Sequence, residues 1–293
     1  MNKKYAIIKN QHYVPKCYLK NFLDESGKIA VLDKQNLKIY RTNMNNIANQ
    51  NFFYDLPENK YLDVQHFEKM FNNYETAYGN IIKSLFKSLE LIKENCFNNT
   101  LEEYKDFFAF YFCLQWVRTL ETRKFASHIF KTMLEQIKNM LGFINSKIIV
   151  HEDKLMPLQA RFILSILSGE IPTYLSNQQF FICINNTNIP FYCSDNPAIM
   201  DSSFCDKDGR GKSFISYGMN FYLPLSSKYC LFIADSRLFT SKLKYNTIIL
   251  ENSEFIEYAN DLQIRKASKQ IYCNESKFLE KEIEYVKNLT NPL

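Results

Sequence analysis

The sequence has few glycines and lacks the motifs of several large enzyme classes. Only seven of its 293 residues are glycine, and neither GxGxxG nor GxxxxGK occurs. Those motifs place backbone N–H groups against phosphates, so their absence counts against the common dinucleotide-binding and phosphate-loop folds. HExxH and GxSxG are also absent. The chain therefore carries no signature of a zinc protease or of a serine hydrolase with a nucleophile elbow.

The chain also lacks a membrane-spanning run and a cysteine pattern. No apolar stretch approaches the roughly 18 residues needed to cross a bilayer, and the first residues contain only a short apolar patch, 6–8. The eight cysteines are scattered without a CxxC pair, which favours reduced, buried thiols and gives no zinc spacing. We expect a cytoplasmic protein that has no contact with membranes, no metal site and no cofactor.

What the chain does contain is apolar and aromatic side chains. Apolar residues make up 46% of the sequence and aromatic residues 15%, enough for a large core and too many for a disordered chain. The formal charge of +5 permits an anionic partner, such as nucleic acid or a nucleotide, without requiring one. Abundant Lys, Asn, Ile, Phe and Tyr indicate AT-rich codons and hence a low-GC bacterial or phage-related source.

The periodicity of the apolar residues predicts a single compact α+β domain. An N-terminal arm and hairpin fill residues 1–62, a helical layer fills 63–170, and a sheet with C-terminal helices fills 171–293. Long central helices should pack on a mainly antiparallel sheet. Asp63 is placed to cap the first long helix, and Thr100 with Glu103 fits a capping box.

Several element boundaries follow from the same patterns. The capping box predicts one unbroken helix from Thr100 to about Leu141, whose first half is apolar nearly all round and should be buried. In the last third, residues 179–185 and 189–194 are predicted to form one β-hairpin, and residues 219–225 and 228–234 a second. The polar loop from Asp195 to Gly218 is either a lid over a site or an ordinary surface loop.

The stretch Gln11 to Phe22, QHYVPKCYLKNF, is the first candidate for chemistry. His12 is its only group that changes charge near neutral pH, and Pro15 holds the preceding residue extended, so a helix should begin only near Lys16. Two interpretations remain open. His12 is a general acid or base, or the arm is a structural plug in which His12 bonds to a backbone carbonyl.

Two further places carry polar groups in apolar surroundings. Arg118 lies in the buried helix and must meet a carboxylate, an anionic ligand or carbonyl groups, so it forms a structural ion pair or lines a pocket. The turn Ser194-Asp195-Asn196-Pro197 ends an apolar strand and presents a carboxylate and an amide, which suits either a working site or an Asx-turn.

The sequence resembles two known families. HxVPxxYLxxF from His12 to Phe22, the SDNP turn, the PLSSKYCLFI strand and the late helix containing Asn260 resemble a bacterial family called domain of unknown function 4238, in order and spacing along nearly the whole chain. That resemblance implies that these elements belong together and adds no mechanism. Separately, Arg123 and His128 resemble the Rx4-6H pair of the metal-free HEPN ribonucleases.

Two hypotheses of function follow. In the first, the protein is a metal-independent hydrolase or nuclease acting on a phosphodiester or nucleotide, for example an effector in phage defence. His12 and Asp195 are then catalytic, and the substrate is bound by Tyr13, Tyr18, Arg118, Asn196 and Asn260. In the second, the same polar and aromatic residues build a non-catalytic module that binds a ligand or a partner.

Overall fold

The computed structural model has two main sheets joined by a layer of helices. It describes residues 7–58, 60–90, 101, 103–140, 155–202, 213–239 and 246–290. The strands are β1 (Asn10–His12), β2 (Ile29–Asp33), β3 (Lys38–Thr42), β4 (Asn49–Asn51), β5 (Gln179–Asn185), β6 (Cys193–Ser194), β7 (Ile199–Asp201), β8 (Asn220–Pro224), β9 (Tyr229–Ala234), β10 (Thr247–Leu250) and β11 (Gln270–Cys273). The helices are α1 (Lys16–Leu19), α2 (His66–Glu90), α3 (Lys105–Val117), α4 (Leu120–Met140), α5 (Leu155–Leu167), α6 (Ile171–Ser176), α7 (Glu254–Lys266), α8 (Ser276–Glu280) and α9 (Ile283–Thr290).

The larger sheet confirms the α+β prediction. Its strand order is β10-β5-β9-β8-β7, and every neighbouring pair is antiparallel except β10 and β5. The predicted hairpin of β8 and β9 is present. Helix α3 packs its aromatic face on this sheet, with the Phe112 ring centroid 5.4 Å from that of Phe221 in an edge-on contact. The apolar strands and the apolar helix thus bury each other.

The smaller sheet draws strands from distant parts of the chain. Its order is β3-β2-β11-β6, so the N-terminal hairpin β2–β3 pairs with a strand from the C-terminal region. The hairpin predicted from residues 179–185 and 189–194 is wrong. Strand β5 lies between β10 and β9, and β6 pairs with β11 instead. At the predicted turn a side chain bonds to the backbone: Asn185 Nδ2 donates to the carbonyl of Ile189 at 2.7 Å.

The predicted helix from Thr100 to Leu141 is two helices in the structure. Helix α3 ends at Val117 and α4 begins at Leu120. The backbone N–H of Thr122 donates to Thr119 Oγ1 at 3.4 Å, which places the hydroxyl as an N-terminal cap for the second helix. A capping threonine inside an apolar run is easily taken for another helical residue. The ends of the predicted helix, Thr100 and Leu141, lie outside the described residues.

The N-terminal arm consists of strand β1 followed by the short helix α1. Strand β1 pairs with β4, and the backbone N–H of Tyr13 donates to the carbonyl of Ala48 at 2.9 Å. Helix α1 begins at Lys16, directly after extended Pro15, as predicted. The first long helix, α2, begins at His66, where the N–H of Gln65 bonds to the Asp63 carboxylate at 2.9 Å.

Within the described part of the chain, no helix has both the length and the apolar character that crossing a bilayer requires. The polar loop predicted between Asp195 and Gly218 contains the short strand β7. Its stretch DKDGRGK lies outside the described residues.

Candidate functional site

His12 lies at the end of β1, where only 7% of it is exposed. Its Nε2 is 3.4 Å from Asn49 Nδ2 on the paired strand, and it is also hydrogen-bonded to the backbone of Met44. Burial, together with the nearby charges of Lys16 and Arg118, lowers the pKa of His12 to about 4. The imidazole is therefore neutral near physiological pH and is held between backbone and amide groups.

The Asp195 carboxylate is fully buried and accepts three backbone hydrogen bonds. Ser268 N–H donates to Oδ1 at 2.7 Å, and Lys269 and Gln270 donate to Oδ2 at 2.7 and 3.2 Å. Burial raises the pKa of Asp195 to about 6, although these three N–H groups favour the charged form. The carboxylate thus fixes the connection between α7 and β11.

The arm folds back toward the SDNP turn, but the two predicted catalytic side chains do not bond to each other. The hydrogen bonds of Asp195 go to residues 268–270, whereas those of His12 go to Met44 and Asn49. Asn196 accepts from Thr119 Oγ1 at 3.2 Å and donates to the carbonyl of Lys266 at 3.1 Å. The expected hydrogen-bonded acid–base pair is therefore absent.

Arg118 forms an internal ion pair. Its side chain is 1% exposed, and Nη2 donates to Glu75 Oε1 at 2.9 Å and to the carbonyl of His12 at 2.7 Å. Its guanidinium carbon lies 4.6 Å from the centroid of the Phe71 ring, a favourable cation–π distance. Nε and Nη1 have no hydrogen-bond partner. Of the two interpretations, this geometry fits the ion pair that ties the arm to α2 and α3.

Tyr18 and Tyr13 also belong to the anchoring of the arm. Tyr18 is fully buried, its hydroxyl donates to the carbonyl of Pro224 in β8, and burial raises the pKa of that hydroxyl. Tyr13 is 5% exposed, and its ring centroid lies 5.3 Å from that of Phe53. Both tyrosines therefore join the arm to the core.

Two buried amides on α7 hold the segment that leads into the SDNP turn. Asn260 Oδ1 accepts from the N–H of Tyr192 at 2.7 Å, and its Nδ2 donates to the carbonyl of Pro190 at 2.9 Å. Gln263 accepts from Ser194 Oγ at 2.6 Å and donates to the carbonyl of Pro197 at 2.9 Å. Sequence reasoning missed Gln263. Its signal is an amide three residues after Asn260, on the apolar face of a helix.

We call the two amides, Asn260 and Gln263, the clamp. A cleft opens beside it. It has a volume of about 310 Å³. It lies between α7 and the two C-terminal helices, and its aromatic walls come from Tyr192, Phe278 and Tyr285. The remaining lining residues are Ile189, Glu257, Asn260, Asp261, Ile264, Lys281 and Glu282. Of the predicted site residues, Asn260 lines this cleft.

Three carboxylates and one lysine line the cleft, and one of the carboxylates, Asp261, is paired with Arg265 at 2.7 Å. Tyr192 donates its hydroxyl to Glu282 Oε1 at 3.1 Å, and Tyr285 donates to Asp261. Burial raises the pKa of Glu282, partly offset by the bond from Tyr192. This cleft was not predicted from the sequence, because its lining combines residues 189–192 with helices more than 60 residues later in the chain.

A second, shallower cavity of about 340 Å³ lies along α4. It is lined by Leu120, Arg123, Lys124, Ser127, His128 and Lys131. Arg123 is used structurally: its guanidinium carbon is 3.5 Å from the Phe53 ring centroid, and Nε donates to Gln159 at 2.7 Å. Burial lowers the pKa of Arg123 to about 10. His128 and Lys131 are exposed, so this side of the helix offers positive charge to an anion.

Among the described residues, no group of three His, Cys, Asp or Glu side chains is close enough to hold a metal ion. The described cysteines, Cys17, Cys113, Cys183, Cys193, Cys230 and Cys273, are free thiols. Burial raises the pKa of each of the six, so these thiols are protonated and poor ligands.

The depressed pKa of His12 predicts a pH-dependent contribution to stability. Because the folded state holds this proton less tightly than the unfolded chain does, the contribution is complete above about pH 6.5 and is lost as the pH falls toward 4. The free energy of unfolding of the wild type minus that of His12→Gln should be about 2 kcal/mol larger at pH 7 than at pH 5. Urea denaturation at both pH values measures this, and an unchanged difference would contradict it.

The buried Asp195 predicts a large structural cost on removal. Asp195→Ala removes a buried carboxylate and leaves three partly buried N–H groups without their acceptor, and it should lower the free energy of unfolding by about 4 kcal/mol. Asp33→Ala is the matched control. Asp33 accepts the N–H groups of Gln35 and Asn36 in an exposed turn, where water replaces the carboxylate, so about 1 kcal/mol is expected. Equal losses in denaturant melts would refute the special role of Asp195.

The comparisons with known proteins identify a family. A family model described as "Protein of unknown function (DUF4238)" matches residues 10–277, a span that includes the arm, both sheets and the clamp on α7. No curated protein and no solved structure matches the chain. The matched span is most of the sequence, and this chain therefore belongs to the DUF4238 family.

Proposed function

We propose that this protein is a non-catalytic binding module whose ligand is an organic cation, bound in the cleft between α7 and the C-terminal helices. The observation that carries the proposal is the lining of that cleft. Tyr192, Phe278 and Tyr285 surround it together with Glu257, Asp261, Glu282 and a single lysine. Aromatic faces and carboxylates in one concave site recognise ammonium and guanidinium groups.

The size of the cleft fits a small ligand or one side chain. A volume of about 310 Å³ is at the small end of the range for ligand pockets. One aromatic wall already interacts with cations, since the Nζ atoms of Lys277 and Lys281 lie 4.9 and 5.9 Å from the Phe278 ring centroid. The other two aromatic walls, Tyr192 and Tyr285, carry hydroxyls bonded to carboxylates, which fixes those carboxylates in place.

The positions of the predicted catalytic residues favour binding over catalysis. A general base must reach the proton that it removes, directly or through one water molecule. His12 and Asp195 are buried, and their polar atoms are bonded to the protein itself. Asn260 lines the cleft, but both ends of its amide bind backbone groups. The residues of the sequence motifs are thus bonded within the protein, and of these Asn260 supports a wall of the cleft.

This proposal predicts selective binding of cations. Agmatine and spermidine should bind to the full chain in isothermal titration calorimetry, and AMP should not. Glu282→Gln keeps an oxygen that accepts from Tyr192 but removes a charge from the cleft, so it should weaken agmatine binding about tenfold, or about 1.4 kcal/mol.

The matched control is Glu280→Gln. Glu280 is exposed, ends helix α8 and is not among the residues that line the cleft. Its loss should leave the affinity for agmatine within about twofold of the wild-type value. Equal effects of the two substitutions would point to bulk charge rather than to the cleft. Binding of AMP in place of the cations would remove the proposal.

A second candidate function is supported by the basic side of α4. His128, Lys131 and Lys124 line one cavity, and an Arg-His spacing on this helix resembles that of metal-free ribonucleases. A phosphodiester or nucleotide could be held there by the lysines, with exposed His128 as the acid or base. This candidate keeps the hydrolase or nuclease hypothesis but moves its histidine from the arm to α4.

The second candidate predicts metal-independent cleavage. RNA, DNA and nucleotides incubated with the full chain in EDTA should be turned over, and His128→Ala should reduce the rate at least about 100-fold. His12→Gln is the control. Because His12 is buried, this substitution should leave the rate of the folded protein unchanged. Absence of turnover, or equal loss in both variants, would exclude this candidate.

A further inference from the structure

Helix α4 carries an apolar face that the described part of the structure leaves open. Met133, Ile137 and Met140 are 54%, 49% and 86% exposed, and Ile129 is 36% exposed. Phe125 is 45% exposed, and the rest of its ring packs edge-on against Trp116 and Phe162. A helix turns about 100° per residue, so these five side chains fall within an arc of roughly 120°. Large side chains that share one face in this way mark an interaction surface more often than a solvated one.

The open face continues a buried one. At the start of α4 the same side of the helix presents Thr122 and Ala126, which are 2% and 6% exposed. Beyond Ala126, no residue of α4 is buried. Lys131, Glu135 and Lys138 lie on the opposite side by the same helical geometry. The last four turns of α4 therefore have an apolar side and a charged side, and only the charged side suits water.

We propose that this face binds a second copy of the chain, with the two α4 helices packed antiparallel about a twofold axis near Met133. The apolar positions are symmetric about that residue, since Ile129 and Ile137 lie four residues to either side and Ala126 and Met140 lie seven. In antiparallel pairing, Ile129 of one copy faces Ile137 of the other, and Met133 faces itself. Self-complementarity of this kind is what a twofold interface requires.

The area of the face agrees with a dimer. The exposed parts of the five side chains amount to roughly 500 Å² in each copy, so pairing would bury on the order of 1,000 Å² in total. That is the lower bound for a specific interface, and it predicts a dimer that dissociates on dilution. The spacing of three and four residues along the face is also that of a helix packing on another helix.

The basic side of α4 stays accessible in this arrangement. The cavity lined by Lys124, His128 and Lys131 is on the side away from the apolar face. The cleft at the C-terminal helices is formed by other elements altogether. Dimerisation is thus independent of the function proposed above, and either can fail without the other.

Sedimentation equilibrium or light scattering on the full chain tests the proposal. The wild type should rise from 34.7 kDa toward twice that mass as its concentration increases through the micromolar range. Met133→Glu combined with Ile137→Glu should weaken the dimer more than about tenfold, because pairing would bury two charges from each copy. Both positions are exposed, so the variant should retain its circular dichroism spectrum.

The matched control is Lys131→Glu combined with Asn139→Glu, which adds two glutamates to exposed positions of the same helix outside the apolar face. It should dimerise like the wild type. A wild type that stays monomeric at all concentrations would overturn the proposal, including a monomer that binds lipid vesicles through this face. A dimer that survives Met133→Glu with Ile137→Glu would also overturn it, because the contact would then lie elsewhere.

Discussion

The fold depends on buried polar side chains that take the place of strand pairing around one segment, Pro190 to Pro197. Only two residues of this segment, Cys193 and Ser194, pair as a strand. The N–H of Tyr192 and the carbonyls of Pro190 and Pro197 bond to the amides of Asn260 and Gln263. The N–H groups of Phe191 and Asp195 donate to the carbonyls of Ser227 and Gln270, and the Asp195 carboxylate accepts three bonds from the backbone of residues 268–270. Because each of these groups is buried, losing any one partner leaves a polar atom unsatisfied, which costs more than the bond contributes.

The N-terminal arm is attached by the same kind of interaction. Arg118 binds the His12 carbonyl and the Glu75 carboxylate, and Tyr18 reaches the carbonyl of Pro224 in β8. These bonds join the arm to the helical layer and to the large sheet. A guanidinium with 1% exposure is costly to bury without a partner. The ion pair therefore specifies where the arm sits more than it adds to stability.

The sequence predicted what depends on local periodicity and missed what depends on distant partners. The hairpin of β2 and β3, the long helix α2 and the buried character of α3 follow from alternation and three- or four-residue spacing. The pairing of β6 with β11 does not, because Cys193 and Tyr272 are far apart in the chain. Candidate residues were found because polar groups in apolar runs stand out. Whether such a group faces a pocket or a backbone N–H is decided by tertiary packing, which spacing does not encode.

The two motifs singled out in the sequence are thus positions of internal support. In HxVPxxYLxxF, Tyr18 and Phe22 are core side chains, and His12 and Pro15 set the path of the arm. In SDNP, Asp195 binds backbone N–H groups. A substitution at such a position removes a bond inside the protein and is penalised whatever the ligand is. Glu282 and Tyr285 in the cleft also form internal bonds, to Tyr192 and Asp261, but these bonds join side chains to side chains and hold no backbone group. The family match over residues 10–277 covers the arm and the two amides of α7, and it ends before the cleft residues Phe278, Glu282 and Tyr285.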